Sequence, residues 1–218
     1  MKQGEGSPPD AFHVKQELER GAASLGLDLA GEQLDRLARF AELLSTRAIE
    51  IGAIAASDRE RVVERHILDS LRAAPEIRDD DRIAYDFGSG AGLPGIPLAV
   101  VRPACAFALV ESRHWRAAFL ELVVSELELN VRVERARVEK MGVQADLAVS
   151  RAFAPLAKTW GLAEPLLRPG GRLVFFAGRS MEDPEAVARA AAGEGSEVRL
   201  VPDQLDRGGP LVIIGRSD

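Results

Sequence analysis

Ile83-Ala84-Tyr85-Asp86-Phe87-Gly88-Ser89-Gly90-Ala91-Gly92-Leu93-Pro94-Gly95-Ile96-Pro97 joins an apolar, aromatic run to an acid and then to a glycine-rich loop. The run has the composition of a short buried strand, and the stretch after Pro94 opens an apolar helix. Glycines at 88, 90 and 92 allow a sharp turn and let the backbone approach a ligand where a Cβ would collide. Pro94 suits the first turn of the helix that follows. A strand, a glycine loop and a helix in this order predict a nucleotide-cofactor site; the plain alternative is a tight strand-to-helix turn.

The loop by itself leaves two cofactors open. Gly90, Gly92 and Gly95 have the G-x-G-x-x-G spacing of dinucleotide binders, whereas Asp86 with Gly88, Gly90 and Gly92 matches the acid-x-Gly-x-Gly-x-Gly opening of S-adenosylmethionine enzymes. A second apolar run, Ala106 to Val110, ends at Glu111, whose carboxylate can accept both hydroxyls of a ribose from either cofactor. Residues 113–128 read as a helix with Arg116, Leu120, Val123 and Leu127 on one stripe. Strand-like runs follow at Val131-Arg132-Val133, at Ala145 to Ser150 and at Arg172 to Phe176. Strands alternating with helices predict an α/β fold with a parallel, doubly wound sheet. Val198 to Val201 and Leu211 to Ile214 read as a closing antiparallel hairpin, a feature of methyltransferases rather than dehydrogenases.

Before the sheet the chain reads as helices. Val14, Leu18, Ala22 and Leu25 form one apolar stripe, and Leu34, Leu37, Ala41, Leu44 and Ala48 another. Ser57 and Glu60 have the spacing of a capping box for a third helix, with Val63, Ile67, Leu68 and Leu71 facing inward. Three helices are too few to bury their own stripes, so they are expected to pack on the sheet domain as a cap. The expected divisions are a disordered start over 1–12, a helical cap over 13–78 and the α/β domain over 79–218. Asp79-Asp80-Asp81 reads as a solvated turn between the last two.

With 46% apolar residues among 218, the chain can bury a sizeable core, and no apolar run approaches the ~18 residues of a membrane span. One cysteine, Cys105, leaves no internal disulfide or cysteine-cluster metal site; it reads as a buried apolar residue in a cytoplasmic protein. No metal is expected. The net charge of −6 is spread evenly, with 11 basic against 14 acidic residues up to position 78 and 17 against 20 after it. Without a basic tail, any grip on nucleic acid has to come from a local patch, for which Arg113, Arg116, Arg132, Arg135, Arg137 and Arg151 are the candidates.

His66-Ile67-Leu68-Asp69-Ser70-Leu71, the loop from Gly88 to Pro97, Arg137-Val138-Glu139 and Ser150-Arg151-Ala152-Phe153-Ala154 together resemble the RsmG (GidB) family of bacterial 16S ribosomal RNA guanine-N7 methyltransferases. The resemblance runs from about residue 14 to the C-terminus and is strongest between 60 and 155. It implies a class I S-adenosylmethionine-dependent methyltransferase with a Rossmann-like sheet, S-adenosyl-L-methionine as cofactor, and ribosomal RNA or the small ribosomal subunit as partner. No membrane association is expected, and a monomer is favoured. The implied cofactor contacts are Gly88, Gly90, Gly92, Leu93, Glu111, Val138, Glu139 and Arg151, with His66, Asp69 and Arg151 as pocket residues and none acting as acid or base. Guanine N7 carries a free lone pair and no proton to lose, which agrees with that absence.

The chain departs from the family pattern at Gly52-Ala53-Ile54, at His114-Trp115 and at Ala177, where members carry polar or basic groups. Three other readings therefore stand beside the first. They are a methyltransferase of the same fold with another substrate, a cofactor-binding ribosome-associated module without turnover, and an NAD-dependent oxidoreductase.

Overall fold

In the computed structural model, residues 11–205 and 208–217 are described. Seven strands form one sheet in the order β3-β2-β1-β4-β5-β7-β6. The strands are β1 (Ile83–Phe87), β2 (Ala106–Val110), β3 (Val131–Glu134), β4 (Ala145–Arg151), β5 (Leu167–Phe176), β6 (Glu197–Val201) and β7 (Leu211–Gly215). The first five run parallel, and β7 enters antiparallel between β5 and β6. The expected doubly wound sheet and its closing hairpin are both present.

Period-two alternation gives each face of the sheet its own core. Leu109, Val149, Val174 and Ile213 share the face of Asp86 and join one apolar cluster. Phe87, Val110, Phe175 and Val212 point the other way, into a second cluster with Trp160. Register also fixes the site. Phe87 lies opposite Val110 and Ser150, so the next residues, Gly88, Glu111 and Arg151, stand in one row at the carboxyl ends of three strands, Arg151 as the last residue of β4. The strand order reverses between β1 and β4, the position where open α/β sheets leave a crevice.

The N-terminal helices bury the stripes read from the sequence. Val14, Leu18 and Ala22 of α1 (Ala11–Ser24) are buried, as are Leu37, Phe40 and Ala41 of α2 (Gly31–Leu43). A π-helical turn, Leu44–Ala48, continues α2. Residues 1–10 of the expected disordered start lie outside the described residues, while Ala11 and Phe12 belong to the first turn of α1. The third helix is composite: a 3-10 stretch (Ala56–Arg61), a π-helical turn (Val63–Leu68) and the short α3 (Asp69–Leu71). Its apolar residues face inward as expected, but the Ser57–Glu60 capping box does not form. Ala55 caps the segment, and the buried carboxylate of this turn is that of Asp58, engaged by Arg65 and His66.

These helices and the sheet share one apolar cluster, which runs from Val14 through Phe40, Ile67 and Leu71 to Leu109 and Ile213. Polar links reinforce the contact with α4 (Gly95–Val101) and the segment after it. Gln33 donates to the Val100 carbonyl at 3.2 Å, and Arg102 donates to the Ala74 carbonyl at 3.1 Å. Asp81 corrects the sequence reading of a solvated turn: it is 4% exposed, and both its oxygens receive the Arg172 guanidinium. Arg172 starts the buried part of β5, so its charge requires a counter-charge out of water. Asp79 and Asp80 remain exposed.

Phe40 is fully buried in the shared cluster. Phe40→Ala is expected to lower stability by about 3–5 kcal/mol. Because the core is continuous, denaturant melts followed by far-UV and near-UV signals are expected to show one coincident transition rather than separate steps for helices and sheet.

Candidate active site

The first strand ends on a buried acid. Asp86 is fully buried, and its Oδ2 accepts the Gly95 backbone N–H at 3.0 Å. Pro94 stands at the cap of α4, one residue ahead of the first-turn position read from the sequence. Gly95 has no room for a side chain: a Cβ there would lie 2.4 Å from Leu109 and 2.6 Å from Asp86 Oδ2. The third glycine of the dinucleotide spacing is therefore a packing residue. Burial pushes the Asp86 carboxyl up to about 7, against the Ser89 and Gly95 hydrogen bonds and the Arg151 charge, which hold it down. Its Oδ1 has no hydrogen-bond partner.

Between Asp86 and Gly95 the loop rises over the strand ends. Gly90 takes a left-handed φ of +58°, and a Cβ there would meet nothing closer than 3.7 Å, so its open side faces the cleft. Gly92 differs. Its Cβ position lies 2.6 Å from Ile96 and 3.2 Å from Leu120, and it lines none of the cavities of the cleft. Of the three glycines read as cofactor contacts, Gly88 and Gly90 reach the cleft and Gly92 seats the loop on α4 and α5 (His114–Glu126).

Three cavities meet at this point. The largest, about 780 Å³, lies between the loop and the N-terminal helices; Leu93, His66, Asp69 and Arg151 line it. A second, about 420 Å³, is bordered by Glu111, Val138, Glu139 and Phe153 beyond β2 and β3. A third, about 490 Å³, is largely apolar, walled by Phe175, Phe176, Ala177 and Met181 beyond β5. Gly88 borders the first two, Asp69 and Arg151 the first and third, and Ala152 all three. Ala152 has a φ of +55°, a strained value for a residue with a Cβ. Sequence reasoning did not single it out, although it lies inside the quoted Ser150-Arg151-Ala152-Phe153 motif.

Glu111, 5% exposed, ties the second cavity to the loop. Its Oε1 accepts the Arg113 N–H at 2.8 Å and its Oε2 the Gly90 N–H at 3.2 Å. A carboxylate has about four acceptor positions, so two remain for hydroxyl donors. His66 and Asp69 do not bond to each other. His66 Nε2 lies 3.1 Å from the acceptor Asp58 Oδ2, while Asp69 receives Arg151 at 3.0 Å and Arg72 at 2.7 Å. Burial, then the Arg151 charge, hold the His66 ring below its ordinary value, so it is neutral at pH 7. Phe153 packs on Phe87 at 6.3 Å between centroids, and its ring lies against Gly88.

The cationic groups around the cleft are partly those expected. Arg113, Arg116, Arg137 and Arg151 line it; Arg132 and Arg135 do not, Arg135 donating instead to His114 at 2.7 Å. Arg61 and Arg65 from the third helix, Arg179 after β5 and Lys158 join them. No local motif marks these four, which reach the cleft only through tertiary packing. Of the departures, Ala53 and Ile54 face the largest cavity and Ala177 the apolar one. Cys105, 5% exposed with its thiol pushed up to about 12 by burial, is the inert residue expected. Among the described residues no group of three or more His, Cys, Asp or Glu is placed to hold a metal, and no helix is long and apolar enough to cross a membrane.

A parallel sheet with an antiparallel closing strand, a glycine loop after β1 and an acid after β2 defines a class I S-adenosylmethionine-dependent methyltransferase. Solved structures agree on the fold. The apo form of the S-adenosylmethionine-dependent methyltransferase SibL superposes with a TM-score of 0.57 at 13% identity, over 95% of this chain and 75% of that one. M. jannaschii TYW2 in complex with AdoMet gives 0.53 at 17% identity, over 70% and 75%. The family model GidB, rRNA small subunit methyltransferase G, matches residues 33–202. The ribosomal RNA small subunit methyltransferase G of Mycolicibacterium paratuberculosis is 41% identical over 180 residues, 79% of this chain and 72% of the relative. That of Acidiphilium cryptum is 38% identical over 187 residues, 82% of each. The chain belongs to the rRNA small subunit methyltransferase G family. That membership removes the oxidoreductase reading.

Asp86 makes stability depend on pH in a definite direction. Its folded value of about 7 lies above the unfolded 3.8, so the folded state holds the proton longer and stability falls as pH rises between those values. Asp86→Asn keeps an acceptor for Gly95 and removes the titration. Its stability relative to wild type is expected to rise from pH 4 to pH 8 by up to roughly 4 kcal/mol, measured by urea melts across that range; a constant difference would show that Asp86 is ionised throughout.

Proposed function

We propose that this chain transfers a methyl group from S-adenosylmethionine to N7 of a guanine in small-subunit ribosomal RNA, with the base presented by a folded subunit. The reading is carried by the meeting of the three cavities at Gly88 and Ala152, at the sheet's switch point, in a chain of this family. The residues fit the cofactor: the loop backbone is open at Gly90, and Glu111 has free acceptor positions for a ribose. Gly88, Gly90 and Leu93 would hold it from the loop, Glu111 through the ribose, Val138 and Glu139 at the adenine edge, and Arg151 at the methyl end. When bound, it supplies an electrophilic methyl on a sulfonium.

The protein's own part is placement. N7 attacks with a lone pair, so no side chain has to accept a proton; His66, tied to Asp58, and Asp69, engaged by two arginines, serve as wall of the cavity. Holding two reactants in line can supply about 7–11 kcal/mol. Arg61, Arg65, Arg116, Arg151 and Arg179 outnumber Asp58, Glu64 and Asp69 around the largest cavity, and this local excess of cations in an acidic protein is the form of contact that RNA phosphates require. The apolar third cavity, next to Arg151, is the natural seat for a base. The alanines and isoleucine at the departures replace none of the residues assigned to the cofactor and thin the polar groups of the cleft, which favours a substrate whose shape is already set.

Purified protein with labelled cofactor and 30S subunits lacking the modification is expected to form N7-methylguanosine in 16S RNA, read by nucleoside mass analysis. Cofactor binding without incorporation would favour the module without turnover. Gly90→Val places a branched side chain in the left-handed region and in the cleft; affinity for S-adenosylhomocysteine is expected to fall roughly tenfold or more by calorimetry. Arg61→Ala with Lys158→Ala removes two rim charges. The salt dependence of RNA binding, log K against log salt, is expected to flatten by about 0.7 for each phosphate that the variant no longer neutralises.

A further inference from the structure

Arg72 sits just beyond α3 and is 6% exposed, a position at which a cation requires counter-charge. One guanidinium nitrogen donates to Asp69 Oδ1 at 2.7 Å, and another donates to the Gly209 carbonyl at 2.7 Å. Its Nε makes no hydrogen bond but lies 3.1 Å from Asp203 Oδ1 as an ion pair. Asp203 in turn accepts the backbone N–H groups of Leu205 and Gly208, so it organises the connection between β6 and β7. The other oxygen of Asp69 receives Arg151 at 3.0 Å.

The consequence is geometric. Asp69, Arg151 and Gly208 each border both the 780 Å³ and the 490 Å³ cavities, and all three depend on the one guanidinium. Gly209 lies hard against β5, since a Cβ there would be 2.5 Å from the Ala177 carbonyl oxygen, so the loop has no slack on that side. We propose that Arg72 is the positioning residue of the methyl-transfer junction: through Asp69 it orients Arg151, and through Gly209 and Asp203 it sets the loop that forms the opposite wall. This rests on the methyltransferase reading above. Arg72 touches neither reactant in this account. Its planar fork spans two separate acceptors, Asp69 and the Gly209 carbonyl, with two different nitrogens while keeping its charge beside Asp203, a span that the single nitrogen of a lysine cannot reproduce.

The test compares wild type, Arg72→Lys and Arg72→Gln. It measures single-turnover methyl transfer to 30S subunits, affinity for S-adenosylhomocysteine, melting temperature and amide exchange at Leu205, Gly208 and Gly209. For Arg72→Lys the transfer rate is expected to fall ten- to a hundredfold, because displacement by about 1 Å suffices for that. Cofactor affinity is expected to stay within about twofold, with faster exchange in the loop. A wild-type transfer rate in both variants would overturn the proposal, and so would loss of cofactor affinity in step with the rate, which is the mark of general loosening. If the wild-type protein transfers no methyl, the function proposed above fails; loop exchange unchanged in Arg72→Lys then overturns the positioning role by itself. Should Arg72→Gln not fold, Arg72→Lys decides.

Discussion

The hydrogen bond from the Gly95 amide to the buried Asp86 carboxylate fixes the site. It joins the end of β1 to the start of α4 underneath the glycine loop, so the intervening residues have to arch over the strand ends. The arrangement is costly, since a carboxyl with an unpartnered oxygen in an apolar core resists ionisation. Tight packing at Gly95 and Gly92 holds it in place: the first leaves no space beside Leu109, and the second none beside Ile96. What results is a loop whose underside is rigid core and whose upper side, at Gly90, is open backbone.

The N-terminal helices are part of the same rigid body, because their apolar stripes complete the core on one face of the sheet. This has an electrostatic consequence. A chain with a net charge of −6 repels RNA at long range, and its attraction has to be local. Packing carries Arg61 and Arg65 from the third helix to the cleft where Arg116, Arg151 and Arg179 already lie. Within and just after the π-helical turn Val63–Leu68, His66 meets Asp58 and Asp69 meets Arg151, so the charges of this segment are paired across the fold rather than with each other.

A methyl transfer to a ring nitrogen with a free lone pair makes few chemical demands and strict geometric ones. The site reflects that balance. Its titratable groups are held by neighbours: His66 by Asp58, Asp69 by two arginines, and Glu111, with acceptor positions to spare, by the backbone of two loops. The strain is in the backbone, at Ala152, where the chain turns between all three cavities. Strain at a residue that neighbouring elements hold in place is a means of fixing position rather than of supplying reactivity.

Local sequence determined the elements and the row of residues at their ends. Period-two and period-3.6 apolar patterns are properties of a few consecutive residues, so the strands, the helix stripes, the glycine loop and the closing hairpin were all legible, as were Gly88, Gly90, Glu111, Val138 and Arg151 as neighbours of one crevice. What the pattern cannot carry is the partner of a charge. Asp81 reads as a solvated turn until Arg172, 91 positions later, is packed beside it. Nothing local says that His66 meets Asp58 while Asp69 meets Arg151, 82 positions later, or that the Cβ position of Gly92 is closed off by Ile96 and Leu120. The cationic rim from Arg61, Arg65, Arg179 and Lys158, and the buried guanidinium of Arg72, exist only because long-range packing brings side chains from distant segments within a few ångströms. Such contacts depend on the whole core and leave no local periodicity in the chain.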